Sequence, residues 1–96
     1  MSDGKIEQEY GHIQKVQLEE NEMDGKYLSC TLFPEGKEKV HFFMKLDNNE
    51  FWFRSQLILL VDAFAFQPLV RITFNPTKKM GAMSEIVAVR IQNDDA

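Results

Sequence analysis

Residues 55–74 read SQLILLVDAFAFQPLVRITF, and the change of period inside this stretch decides the fold. Leu57, Leu60, Val61 and Phe64 stand at i, i+3, i+4 and i+7, the spacing of one helical face. Ile58, Leu59 and Phe66 widen the stripe, so the helix is expected to be covered on most sides, with Leu60 and Phe64 nearly fully buried. Asp62 interrupts the apolar run and marks a narrow solvent-facing stripe. Ser55 offers a hydroxyl as N-cap to the first turn. Pro68 ends the helix, because Gln67 before it is pushed out of the helical region. Beyond the proline the period falls to two: Val70, Ile72 and Phe74 share one face of a strand.

Upstream of the helix the period is also two. Gly11 to Leu18 reads as a first strand, with Val16 and Leu18 on one face. Ile13 has the other parity, which calls for a bulge near Gln14. Glu19 to Gly25 is a polar connection closed by the turn pair Asp24-Gly25. In Lys26 to Phe33, Leu28, Cys30 and Leu32 point inward and Tyr27, Ser29, Thr31 and Phe33 outward, until Pro34 and Gly36 end the strand. Lys39 to Leu46 turns Val40, Phe42, Met44 and Leu46 inward and His41, Phe43 and Lys45 outward. Asp47-Asn48-Asn49 reverses the chain, and Phe51 to Phe53 reads as a short return strand. Downstream, Asn75 to Ser84 reads as a loop. Glu85 to Ile91 is the last strand, with Val87, Val89 and Ile91 inward.

The expected chain is therefore mainly β, with one helix after the third strand and two strands after the helix. This plan resembles the OB-fold, a five-stranded Greek-key barrel with a helix between strands 3 and 4. Gly11 opening the first strand fits it, and Gly81 to Ile91 looks like the closing strand of single-stranded DNA-binding proteins. The resemblance covers residues 11–92 in outline. The alternative with a similar element order is a β-grasp-like α+β sheet with one helix across it. Residues 1–10 and 93–96 are expected to be acidic tails flanking a single domain.

Composition narrows the class of protein. Cys30 is the only cysteine, so an intrachain disulfide framework is excluded. The first ten residues are polar and acidic and lack a secretory apolar core. The longest apolar run, Leu57 to Phe66, is too short to span a bilayer. A reducing, cytoplasmic compartment is the expectation. The net charge of −4 is uneven: residues 1–25 carry two lysines against seven acids, and residues 26–93 nine bases against six acids. A mildly basic body leaves room for an anionic ligand.

The non-core face of the strands holds the candidate binding residues. By parity it presents Tyr27, Phe33, His41, Phe43 and Lys45, then Trp52 and Arg54, with Arg71 and Arg90 on the last two strands. Rings interleaved with cations suit single-stranded nucleic acid, in which bases stack and phosphates meet Lys and Arg. The resemblance points the same way, since the second and third strands of an OB-fold carry the ligand surface. It also implies that Lys78 and Lys79, between the last two strands, help clamp the strand. The same rings suit a second small core or a protein interface, where Trp, Tyr and Arg are enriched. The function expected is a single-stranded nucleic-acid-binding domain; the alternative is a protein-interaction module such as an adaptor, inhibitor or small subunit.

No catalytic motif is present, and the chain is read as non-enzymatic, without cofactor, metal or membrane partner. His12, His41 and Cys30 lack the short spacings of a zinc site. Cys30 shares the inward parity of Leu28 and Leu32, so it is expected as a buried core thiol.

Overall fold

The alternating strands pair as their parity requires. The computed structural model describes residues 5–46 and 50–92. Its elements are β1 (Glu7–Asn21), β2 (Gly25–Phe33), β3 (Val40–Lys45), α1 (Glu50–Phe66), β4 (Val70–Met80) and β5 (Met83–Ile91). Leu28, Cys30 and Leu32 on β2 lie opposite Met44, Phe42 and Val40 on β3, so the two inward rows meet residue for residue. The sheet order is β1-β2-β3-β5-β4, and β4 returns to pair with β1, closing the sheet on itself. All neighbours are antiparallel except β3 and β5, which run parallel over a short contact. Inside lie Ile13, Leu28, Leu32, Phe42, Met44, Val70 and Ile72, and α1 adds Phe53, Leu60 and Ala63 to the same cluster.

Bulges decide which residues face that core. Between Ile13 and Lys15 the β1–β2 register shifts, leaving Gln14 as the extra residue, so Ile13 is buried and Val16 faces inward beyond it. A second shift leaves Val87 unpaired between Ile86 and Ala88, which oppose Phe74 and Thr73. Val87 is consequently exposed and Ile86 takes the inward place, a correction to the simple alternation expected for the last strand. Leu18 is also exposed, because β1 runs past the closed part of the sheet. At Gly11 another stretch of backbone comes close. A Cβ there would stand 2.5 Å from the Phe33 carbonyl oxygen and 2.9 Å from Pro34 Cα, so no larger residue fits without moving backbone.

Several boundaries differ from expectation. β1 begins at Glu7, and Glu7 to Gly11 form the seam with Phe74 to Val70 that closes the sheet, so residues 7–10 are strand and not tail. Glu19 to Asn21 continue the ladder opposite Tyr27 to Gly25 rather than forming a connection. The β4–β5 connection contracts to a tight hairpin at Gly81-Ala82, so Lys78 and Lys79 sit on a strand arm. Phe51 to Phe53 are the first turn of α1, not a return strand. Ser55 is thus inside the helix and donates to the Phe51 carbonyl at 3.0 Å instead of capping. The expected turn at 47–49 and the acidic residues after 92 lie outside the described residues.

The helix stops where Pro68 requires. Gln67 takes the left-handed conformation at φ 59°, and its N–H donates to the Ala63 carbonyl at 2.8 Å. Glycine would adopt that conformation without strain. Gln67 offsets the strain by donating through Nε2 to the carbonyls of Ile13 (2.7 Å) and Phe64 (3.0 Å), which ties the helix end to β1. Two turns into the helix, Gln56 Oε1 accepts the Val89 N–H at 2.9 Å and ties α1 to β5.

Candidate functional site

The outward face of β1, β2 and β3 is built as three cross-strand rows. Lys15, Thr31 and His41 form one row; Gln17, Ser29 and Phe43 the next; Glu19, Tyr27 and Lys45 the third. Phe43 continues onto Glu85 of β5. These rows gather four of the expected residues, with Phe33 beyond them on β2 opposite His12 and Lys78 alongside near Glu85, but not as a stacking platform. Tyr27 and Phe43 are buried despite their outward parity, whereas Phe33 keeps an open ring, 44% exposed. Of the rings expected to fill a second core, Phe43 is buried, Trp52 is half-buried against the main core and Phe33 is open; Tyr27, not among them, is buried as well.

The cations of this face are partly neutralised from within. Lys45 Nζ stands 3.3 Å from Asp24, and Lys78 Nζ 4.0 Å from Glu85. Both pairs are solvent-exposed and weak, yet each places a carboxylate where a phosphate would bind. The Tyr27 hydroxyl donates to Glu19 at 3.4 Å, and Ser29 donates to the other Glu19 oxygen at 3.4 Å. Burial, then the Glu19 carboxylate, push the Tyr27 phenol above its ordinary pKa, so it stays a neutral donor. The open cationic ground is a polar hollow of about 330 Å³ lined by Gln14, Lys15, Thr31, Lys39 and His41. Thr31 Oγ1 and His41 Nδ1 are 3.1 Å apart there. Parity brought out His41; Lys15 and Lys39 join it only because the Gln14 bulge and the start of β3 turn them into the same hollow.

The other expected residues lie elsewhere. Trp52 and Arg54 belong to α1: Trp52 packs half-buried against the main core, and Arg54 reaches Glu50 one turn back at 3.5 Å. Arg71 and Arg90 face each other across β4 and β5, with Tyr10 next to Arg71 on β1. Arg71 Nε is buried without a hydrogen-bond partner among the described residues. Lys79 is exposed on the hairpin arm.

Exposed apolar side chains concentrate on α1. Phe51 is 83% exposed and Ile58 56%, with Val61, Phe64 and Phe66 also open. Phe64, expected at the centre of the buried stripe, sits at the helix end beyond the core. The inward face consists of Phe53, Leu60 and Ala63. At 100° per residue, Phe51, Arg54, Ile58, Val61, Asp62 and Ala65 fall together on the opposite side. Asp62 is exposed, as its interruption of the apolar run implied. Periodicity alone missed this outward face, because its residues are as apolar as the inward ones.

Cys30 is buried in the core, and burial pushes its thiol up to about 12, far from a reactive thiolate. Among the described residues no three His, Cys, Asp or Glu side chains group to hold a metal ion. No described helix is long and apolar enough to cross a membrane. Compared with known proteins, the chain matches no family model and no curated protein.

Proposed function

We propose that the chain is a non-enzymatic binding domain of OB-like architecture that works through protein contact, with the outward face of α1 as its docking surface. The observation that carries this reading is the set Phe51, Ile58 and Val61, large apolar side chains left open on a helix whose other face plugs the closed sheet. Apolar ground of this kind marks interaction surfaces. The strand face supports the reading from the other side, because Tyr27 and Phe43 are withdrawn into the protein and cannot stack bases. A photo-reactive benzoylphenylalanine in place of Ile58 is expected to form polypeptide adducts in the cells that make the protein, whereas the same group in place of exposed Lys39 is not. Absence of any adduct specific to position 58 would remove the reading.

A second reading, single-stranded nucleic acid, is supported by the hollow around Lys15, Lys39 and His41. With Tyr27 and Phe43 buried, such binding would rest more on charge than on stacking. Anisotropy of a labelled homopolymer oligonucleotide at low salt should then rise with protein, and Lys39→Gln should lower the salt slope by about one phosphate contact. No anisotropy change at tens of micromolar protein would sink this second reading.

A further inference from the structure

The outward face of α1 is self-complementary about its centre. Ile58 lies opposite the buried arc of Phe53, Leu60 and Ala63, so it is the middle of the open face. Arg54 stands four residues before Ile58, and Asp62 four residues after it. Phe51 stands seven before, and Ala65 seven after. The face thus pairs a cation with an anion, and a large side chain with a small one, at equal distances from one residue. The spacing of Phe51, Arg54, Ile58, Val61 and Ala65 alternates between three and four residues, the seam of one helix packed along another.

We infer that this face is covered by a second copy of the chain, with two α1 helices antiparallel about a two-fold axis through Ile58. The inference rests on the reading of α1 as a protein-docking surface and names its occupant. A two-fold interface is isologous: if residue i meets j, then j meets i. With Ile58 on the axis, Arg54 of each copy meets Asp62 of the other, giving two symmetric ion pairs. Phe51 of each copy lies over Ala65 of the other, so the bulk of one fills the space left by the other. Helices packed in this way lie 8–10 Å apart, within reach of an arginine–aspartate pair. A parallel pairing would instead set Arg54 on Arg54, Asp62 on Asp62 and Phe51 on Phe51, with like charges opposed.

The charges are available for this. Among the described residues, none of the ion pairs involves Asp62, and Arg54 is held only by the exposed Glu50 contact. A 17-residue helix is about 25 Å long, so one helix pair covers less than the ~800 Å² per partner of a standard interface. The dimer is therefore expected to dissociate in the micromolar range.

Light scattering coupled to size exclusion, run on the full chain from micromolar to submillimolar concentration, tests the inference. The mass should rise from 11.2 kDa toward twice that value. Ile58→Asp should hold the chain at the monomer mass at every concentration. Arg54→Asp and Asp62→Arg should each weaken the dimer about tenfold, because each creates two like-charge contacts. The double variant R54D/D62R should restore it, since the pair is only exchanged. Circular dichroism confirms that each variant folds, which exposed positions permit. A wild-type chain that stays monomeric throughout overturns the inference, as does a dimer indifferent to the single reversals or not rescued by the double. The photo-crosslink at position 58 separates this failure from failure of the docking reading. An adduct with another polypeptide from a monomeric chain rejects only the second copy, whereas no adduct rejects both.

Discussion

Phe42→Ala is expected to destabilise the protein by about 3–5 kcal/mol, the range for removing a fully buried aromatic side chain. Phe42 has no exposed surface and stands on β3 between Cys30 of β2 and Ser84 of β5. Its ring packs on Phe74 of β4, with centroids 4.9 Å apart and planes tilted by 57°, a favourable aromatic geometry. Alanine would therefore remove contacts to strands on both sides and across the core at once. It would do so beside the β3–β5 seam, whose parallel register spans two residue pairs. A domain of this size is stable by about 5–15 kcal/mol, so the variant should lose a large share of that stability. Urea melts followed by far-ultraviolet dichroism give the number. A loss below about 1 kcal/mol would mean that Phe42 is not a centre of the core.

Leu60→Ala should cost about 2–5 kcal/mol, a range set by how far the surroundings collapse into the space left behind. Leu60 is fully buried and is the residue with which the middle of α1 enters the closed sheet. The helix is tethered on either side of Leu60, through Gln56 to β5 and through Gln67 to β1, so it is not free to sink and fill the cavity. That argues for the upper half of the range. Phe64→Ala serves as the internal comparison: the side chain is larger, but half of it is already in water, so its loss should be the smaller of the two. Equal losses would show that α1 is rotated from the placement described above.

The sequence by itself determined the inward rows. Strict alternation in residues 26–33 and 39–46 settles which side chains face the core, since a slip of one residue would turn Leu28, Cys30 and Leu32 to solvent. It determined the bulge at Gln14, because Ile13 and Val16 cannot both face inward without an extra residue. It determined the stop at Gln67-Pro68, because proline constrains the residue before it. Each of these is a local conflict or a local repeat, with its resolution contained in a few neighbouring residues.

Tertiary structure decided the rest. Phe51-Trp52-Phe53 has the composition of a strand, yet it is helix, since Phe53 buries against the core from α1 and tertiary packing overrides a weak propensity. Residues 7–10 lack periodicity and pair because β4, some sixty positions away, brings its open edge to them and closure leaves no unpaired row there. Outward parity put Tyr27 and Phe43 on a surface, but parity sees only the strand's own two faces. Burial depends on what distant segments lay over one of them. The helix shows the limit most clearly. Its apolar residues run nearly all round, so the 3.6-residue period has no contrast to read. The stripe picked out Leu60 rightly, but only the position of the closed sheet decided that Val61 and Phe64 stay open and that Ile58, flanked by Arg54 and Asp62, faces out.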